Sequence, residues 1–137
     1  MEWSMGAALN TSDTVSEKSV FGDLVIEARV KAPGVLRIDW KGKSNHKSPE
    51  TVLSSFFSDV TRWAVKERGR LEMHFEELEF FNSSTITAII KYIKELRQRQ
   101  IALAVTFSGS HRWQRIFFDA LWVFVKNDGL FTMTAAK

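Results

Sequence analysis

The stretch EELEFFNSSTITAIIKYIKEL, residues 76–96, carries the pattern that decides the fold. An acidic and aromatic segment ends in four small polar residues and passes at once into apolar residues at helical spacing. These apolar residues are Ile86, Ile89, Ile90, Ile93 and Leu96. Because they fall on one side of a helix, they predict a helix that lays one stripe against a sheet. The preceding residues 71–75 alternate between apolar and polar side chains, which predicts a strand.

Outward from this junction, the chain repeats the same unit of strand followed by helix. Alternation, helical spacing and capping residues predict strands over 23–30, 35–42, 101–107 and 130–135, a helix over 49–69 and a third long helix over 108–129. Residues 101–107 are apolar almost throughout, so this strand is expected in the middle of the sheet with both faces covered. The order β-β-α-β-α-β-α-β predicts an α/β domain with a mixed central sheet of about five strands and three main helices.

The length of 137 residues fits a single domain, and a hydrophobic content of 45% supplies one core. Residues 1–20 are rich in Ser, Thr, Asn and Asp and show no periodicity, which predicts a disordered tail. The domain is therefore expected over residues 21–137. The N-terminus does not have the basic and apolar segments of a secretory signal, and no apolar run is long enough to cross a membrane.

The composition argues against most kinds of active site. The absence of cysteine excludes disulfides and zinc–thiolate sites and suits a reducing cytoplasm. His46, His74 and His111 show no metal-binding spacing, and the sequence has neither a glycine-rich phosphate loop nor a GxSxG motif. We therefore expect no metal, no cofactor and no enzymatic activity. The net charge of +3 comes with cations near predicted helix ends, where they complement the helix dipole, so we expect no nucleic-acid binding.

The predicted third helix is apolar on more than one side. Its expected buried face contains Trp113, Ile116, Phe117, Ala120 and Phe124. Phe118 and Trp122 fall largely off this face. A helix with apolar residues on several sides is either deeply covered or in contact with another molecule. One alternative function is therefore an unphosphorylated homodimeric scaffold that self-associates around Phe118 and Trp122.

The four small polar residues Asn82, Ser83, Ser84 and Thr85 allow two interpretations. Each favours the N-cap of a helix, where a side-chain oxygen accepts a hydrogen bond from a backbone N–H. One cap residue suffices, so the other hydroxyls are expected to be exposed at the helix N-terminus, where the dipole tolerates added negative charge. A phosphate there would change the charge of a surface beside the acidic segment 76–79. The junction is thus either a plain cap or a cap combined with a modifiable hydroxyl.

The strand LEMHFEELEFFNSS, the isoleucine-rich helix, the strand IALAVTF and the last long helix together resemble the STAS domain of anti-sigma factor antagonists and related bacterial regulators. The resemblance covers roughly residues 21–135 and implies a STAS-like domain. In that family the junction reads apolar, Asp, Ser, Ser, Gly, and a partner kinase phosphorylates the first serine. On this chain Asn82 takes the position of Asp, and Ser83 takes that of the phosphorylated serine. Ser84 corresponds to the second serine, and Thr85 replaces the glycine.

The resemblance implies a non-enzymatic, cytoplasmic signalling protein of bacteria that acts as a phospho-switch. Ser83 is the expected phosphoacceptor, with Ser84 and Thr85 as alternatives. The implied partners are a serine/threonine kinase of the anti-sigma type and a phosphatase, or another signalling protein. The expected partner-binding residues are Asn82, Ser84, Thr85, Ser108 and Ser110. Some STAS domains are thought to bind small ligands, so a ligand- or nucleotide-sensing module is a second alternative.

Overall fold

The computed structural model describes residues 16–136. Its elements in chain order are β1 (Ser16–Phe21), β2 (Leu24–Ala32), β3 (Val35–Ser44), α1 (Pro49–Glu67), β4 (Arg70–Phe81), α2 (Ser83–Gln98), β5 (Leu103–Ser108), α3 (Arg112–Ala120), a 3₁₀ helix (Leu121–Phe124) and β6 (Phe131–Ala136). The predicted α/β class with three main helices is confirmed, and the sheet has six strands rather than about five. Residues 1–15, most of the predicted tail, lie outside the described part of the chain.

The six strands form one mixed sheet whose spatial order follows the chain. The pairs β1–β2 and β2–β3 are antiparallel, whereas β3, β4, β5 and β6 run parallel to one another. Each helix therefore connects two neighbouring parallel strands. Because such crossovers are right-handed and all advance in the same direction, the three helices lie on one face of the sheet. The carboxyl ends of β3, β4 and β5, with the helices that follow them, meet at one edge, which we call the upper edge.

The additional strand, β1, forms an outer strand of the sheet. It pairs antiparallel with β2 and places Val20 opposite Val25. Because the sequence predicts a tail as far as residue 20, that prediction is wrong for residues 16–20. Glu17 and Ser19 occupy the helix-covered face of β1, opposite the buried Ala28 and Ile26 of β2. Polar residues on the inward face remove the alternation by which a strand is recognised in a sequence.

One aromatic core joins the sheet to all three helices. The Trp40 ring lies 6.2 Å from that of Phe56 on α1 and 5.2 Å from that of Phe75 on β4. The Phe75 ring in turn lies 5.2 Å from that of Phe118 on α3. On α1, Phe57 stacks on Tyr92 of α2 with ring centroids 4.1 Å apart. Aromatic pairs at these separations add to the free energy gained by burial alone, so the helices are held firmly on the sheet.

Within residues 16–136, no helix lies over the opposite face of the sheet, and this corrects the prediction for β5. Val105 and Phe107 are buried beneath the helices, whereas Ala104 and Thr106, which alternate with them along the strand, are partly exposed on the open face. The prediction that both faces of this strand are covered is therefore wrong. From the sequence alone, Ala104 and Thr106 could lie on a buried face of the strand. In the structure they lie on a half-exposed face.

The third helix is shorter than predicted and buries a different face. It ends at Ala120, passes into the 3₁₀ helix and reaches β6 through a loop. Its buried residues are Gln114 and Phe118, followed by Leu121. Phe118 is 0% exposed, so its predicted role in self-association is wrong, whereas Trp122 is 47% exposed. The predicted face is wrong because α3 buries a polar residue, Gln114, together with Phe118, whereas Ile116 and Ala120 of the predicted face are exposed.

Gln114 is buried because its side chain replaces missing strand pairing. The parallel pairing of β4 with β5 ends at His74 and Thr106. Beyond that point, Gln114 Nε2 donates hydrogen bonds to the carbonyl oxygens of Phe75 and Leu78, at 2.7 Å and 2.9 Å. Its Oε1 accepts a hydrogen bond from the backbone N–H of Ser108 at 2.8 Å. The amide nitrogen and the amide oxygen of Gln114 are thus both bonded to backbone groups of β4 and β5 at the upper edge.

The loop after α3 is fastened to α2 by an ion pair. Arg97, near the end of α2, places its guanidinium 2.7 Å from an Asp128 carboxylate oxygen. This guanidinium also donates a hydrogen bond to the carbonyl oxygen of Phe124. The hydrogen bond from Arg97 lowers the pKa of the Asp128 carboxyl below its ordinary value. The two contacts fix the end of the 3₁₀ helix and thereby the orientation of α3.

The contacts of Gln114 predict a large loss of stability in Gln114→Leu. The substitution leaves two carbonyl groups and one N–H of the backbone without partners, and each buried unsatisfied group costs about 1–3 kcal/mol. We expect urea denaturation to show a free energy of unfolding lower by about 3 kcal/mol. The matched control is Gln98→Leu, because Gln98 is exposed at the end of α2. Equal stabilities of the two variants would contradict this account of Gln114.

Candidate functional site

The junction between β4 and α2 is capped by one residue, Asn82. The helix begins at Ser83, and Asn82 has the extended backbone conformation of an N-cap. Its Oδ1 accepts hydrogen bonds from the backbone N–H of Thr85 at 2.9 Å and from the Thr85 hydroxyl at 2.8 Å. A side-chain oxygen that accepts from the third residue of a helix is the usual N-cap arrangement. The capping interpretation is therefore correct for Asn82, and the serines are not needed for it.

Asn82 also holds the loop between β3 and α1 against the start of α2. Its Nδ2 donates a hydrogen bond to the carbonyl oxygen of His46 at 2.9 Å, and its backbone N–H donates to the carbonyl oxygen of Ser44 at 2.9 Å. An ionised aspartate has two acceptor oxygens and no N–H, so it could not make the contact with His46. The amide in place of a carboxylate thus has a physical reason at this position.

Thr85 is sealed inside the junction. Its side chain is 0% exposed, and its hydroxyl lies 2.8 Å from the Ser44 hydroxyl as well as from Asn82 Oδ1. A hydroxyl without exposed surface is out of reach of a phosphoryl donor or a docking partner while the fold is intact. The structure therefore speaks against Thr85 as an alternative phosphoacceptor and as a partner-binding residue. Its role is to fasten the first turn of α2 to β3.

Ser83 and Ser84, in contrast, are both exposed. They occupy the first two positions of α2, and within residues 16–136 neither hydroxyl takes part in a hydrogen bond. The main-chain N–H groups at these positions have no partner inside the helix, because the first turn of any α-helix leaves its amides free. The amides and the helix dipole together favour negative charge at this place. A phosphoryl group on either serine would therefore meet a favourable local field.

The second predicted group of site residues, Ser108 and Ser110, precedes α3 at the same upper edge. The Ser108 hydroxyl accepts a hydrogen bond from the backbone N–H of His111 at 3.2 Å and lies 3.2 Å from the Ser110 hydroxyl. Ser110 is exposed and Ser108 is half-buried. Since β4 and β5 are parallel, their carboxyl ends bring these residues to the same side of the domain as Ser83. Ser108 helps to start α3, and Ser110 remains open to solvent.

The charged groups around the upper edge have both signs. Glu77 and Glu79 are exposed near the end of β4, and Lys47 is exposed in the loop before α1. Arg112 and Arg115 are exposed in the first turn of α3. The serines of α2 thus lie at an edge that also carries exposed cations and carboxylates, so a change of their charge alters an already polar surface.

The histidines do not form a metal site in the part of the chain that the structure covers. No group of three or more histidine, aspartate or glutamate side chains in residues 16–136 is arranged to hold a metal ion. His74 is on the open face of the sheet, with Nδ1 3.2 Å from a Glu76 oxygen and Nε2 3.5 Å from a Glu72 oxygen. Among these same residues, no helix has the length and apolar character to span a membrane.

Comparison with solved structures identifies the fold. The anti-sigma factor antagonist SpoIIAA in its unphosphorylated form is similar to this chain, with a TM-score of 0.53 and 17% identity over 81% of this chain and 89% of that one. The chain has a STAS fold. A scan of family models and a search of curated proteins both give no match. The likeness to SpoIIAA is therefore one of fold, and this chain has its own pattern of residues at the junction between β4 and α2.

Ser44, His46 and Gln114 support the upper edge around the junction, and the sequence contains little signal for any of them. Ser44 and His46 lie at and beyond the end of β3, in a polar stretch that is typical of a loop. Thr85 points to Ser44 only once its burial is known, because a buried threonine hydroxyl needs a hydrogen-bond partner. Gln114 was hidden among apolar neighbours, whose spacing favoured another buried face.

The contacts of Asn82 lead to a prediction for two substitutions. Asn82→Asp keeps the acceptor oxygen and removes the donor to His46, whereas Asn82→Ala removes both. A hydrogen bond and a cap are each worth about 1 kcal/mol, so we expect losses in the free energy of unfolding of about 1 and about 2 kcal/mol, measured in urea. Asn127→Asp is the control, because Asn127 is exposed in the loop before β6. A fully stable Asn82→Asp variant would contradict the importance of the His46 contact.

Proposed function

We propose that this protein is a non-enzymatic bacterial signalling protein of the anti-sigma factor antagonist type, in which phosphorylation of Ser83 controls binding to a partner protein. The observation that carries the proposal is the division of labour at the junction. Asn82 caps α2, and the exposed hydroxyl of Ser83 has no structural task. The STAS fold and the likeness to an anti-sigma factor antagonist support the class of function.

Ser83 is the proposed acceptor because it directly follows the cap residue, as the phosphorylated serine follows Asp in the STAS pattern. Ser84 is exposed as well and remains the alternative. The proposed partners are a serine/threonine kinase of the anti-sigma type, a phosphatase, or another signalling protein in the cytoplasm. The surface offered to them consists of the upper edge around Ser83, with Ser84, Asn82 and the exposed Ser110.

The proposed switch acts through charge and not through a change of fold. A phosphate adds roughly −1.5 to −2 charge at neutral pH and three acceptor oxygens. It can accept hydrogen bonds from the free amides of the first turn of α2. The Thr85 amide is already held by Asn82, and the Thr85 hydroxyl is shared with Ser44, so the junction retains its contacts. A partner that fits the neutral serine must then accommodate a buried dianion, which is unfavourable unless the partner supplies cations.

The proposal predicts a phosphate on Ser83 in protein purified from its own cells. We expect intact-mass analysis to show a singly phosphorylated fraction and fragment mapping to assign it to Ser83. The fraction should disappear in Ser83→Ala and persist in Ser58→Ala, since Ser58 is exposed on α1 away from the junction.

The same variants test the effect on binding. A partner that is retained by Ser83→Ala should be lost by Ser83→Asp, with affinity reduced at least about tenfold, because the added charge must be buried in the contact. Protein without any phosphate across growth conditions, together with equal binding by both variants, would contradict the proposed switch.

A further inference from the structure

The outward surface of α3 and the 3₁₀ helix exposes an unusual amount of apolar surface. Ile116 is 60% exposed, Trp122 47% and Val123 68%. They are three of the six large apolar residues with the greatest exposure among residues 16–136. Ile116, the exposed Ala120 and Val123 follow one another at intervals of four and three residues, so they form one line along the helix. We call Ile116, Ala120 and Val123 the outer line of α3.

The outer line lies on the side of α3 that faces away from the core. The residues that α3 buries are Gln114 and Phe118, and Leu121 continues that face. They are half a helical turn away from the outer line. A helix that packs by one face normally presents charged residues on the opposite ridge, so an apolar line there indicates a contact with another molecule.

We propose that a second copy of this chain covers the outer line, with the two α3 helices antiparallel about a two-fold axis. The charges beside the line support this occupant. Arg112 and Arg115 lie in the first half of α3 and Asp119 in the second half, all on one flank of the line. None of the three forms a salt bridge within the described residues 16–136. They are therefore available to an incoming surface.

A two-fold axis perpendicular to α3 makes this flank complementary to itself. Such an axis places the same flank of both helices side by side in opposite directions, since a two-fold contact uses the same patch twice. With the axis level with Phe117, Arg115 of one copy is level with Asp119 of the other, and the pair occurs twice. Arg112 is then level with Trp122 of the other copy, where a guanidinium can lie on an indole ring. Ile116 meets its own counterpart near the axis.

The contact is small, which sets the expected affinity. The helix α3 has nine residues, so it is about 14 Å long. Two such helices bury less than the roughly 1,200 Å² of a stable standard interface. We therefore expect a weak dimer with a dissociation constant on the order of 10–100 μM. The dimer does not depend on the state of Ser83, which is at the start of another helix.

Sedimentation velocity of the full chain, from about 1 to 500 μM at low ionic strength, tests the dimer over the range in which weak contacts form. We expect a concentration-dependent dimer in the wild type and in Ser83→Asp. Ile116→Glu should raise the dissociation constant at least about tenfold, because it buries a carboxylate in the contact. The control Val65→Glu should leave the dimer intact, since Val65 is equally exposed on α1, at 58%.

A charge exchange tests the antiparallel register. Arg115→Asp and Asp119→Arg should each weaken the dimer, because each places like charges opposite one another. The double variant should restore it to within about threefold of the wild type. Circular dichroism of every variant is the control that shows whether it is folded. A wild type that stays monomeric at the highest concentration, a dimer insensitive to Ile116→Glu, or a folded double variant that fails to dimerise would overturn the proposal.

Discussion

The hydrogen bonds of the Asn82 side chain are the constraint on which the candidate site depends. Its oxygen accepts from the amide and hydroxyl of Thr85, and its amide nitrogen donates to the carbonyl of His46. One side chain therefore starts α2, ties the hydroxyl of a buried threonine and holds the neighbouring loop. Because all these tasks fall to Asn82, the two serines that follow are left at the surface without a structural role.

On the other side of β4, the side chain of Gln114 likewise holds neighbouring elements together by hydrogen bonds. Where β4 and β5 separate, its amide bonds backbone groups of both strands, so the end of β4, which is paired with β3, stays linked to β5 without regular pairing between them. Asn82 and Gln114 together fix the strand end that carries Ser83. A rigid edge of this kind is suited to recognition by charge, because a partner meets the same geometry before and after modification. In this account the helix α3 has two separate faces, one that supports the edge and one available to a second copy.

The sequence predicted the elements whose apolar residues keep a regular spacing. The isoleucine line of α2 and the alternation of β2, β3 and β4 were sufficient for the fold class and for the place of the junction. The predictions for β1 and α3 are wrong because a polar residue lies on a buried face, and the prediction for β5 is wrong because Ala104 and Thr106 are half-exposed. Glu17 and Ser19 conceal β1 in the sequence, and Gln114 displaces the predicted face of α3, so that Phe118 falls off the predicted buried face although it is in the core. The contacts of Asn82 with the loop of His46 could not be predicted, because they join residues 36 positions apart through side-chain geometry.

The central claim is that Asn82 caps α2 whereas Ser83 is free to be phosphorylated. The most direct test is hydrogen exchange of the Thr85 amide, compared between the unmodified protein and protein phosphorylated on Ser83. This amide is bound by Asn82 and by no serine. The account predicts that its protection stays within about threefold after phosphorylation, since the cap does not involve the modified side chain. An exchange rate higher by more than about tenfold would show that the phosphate displaces the cap, and that would contradict the account.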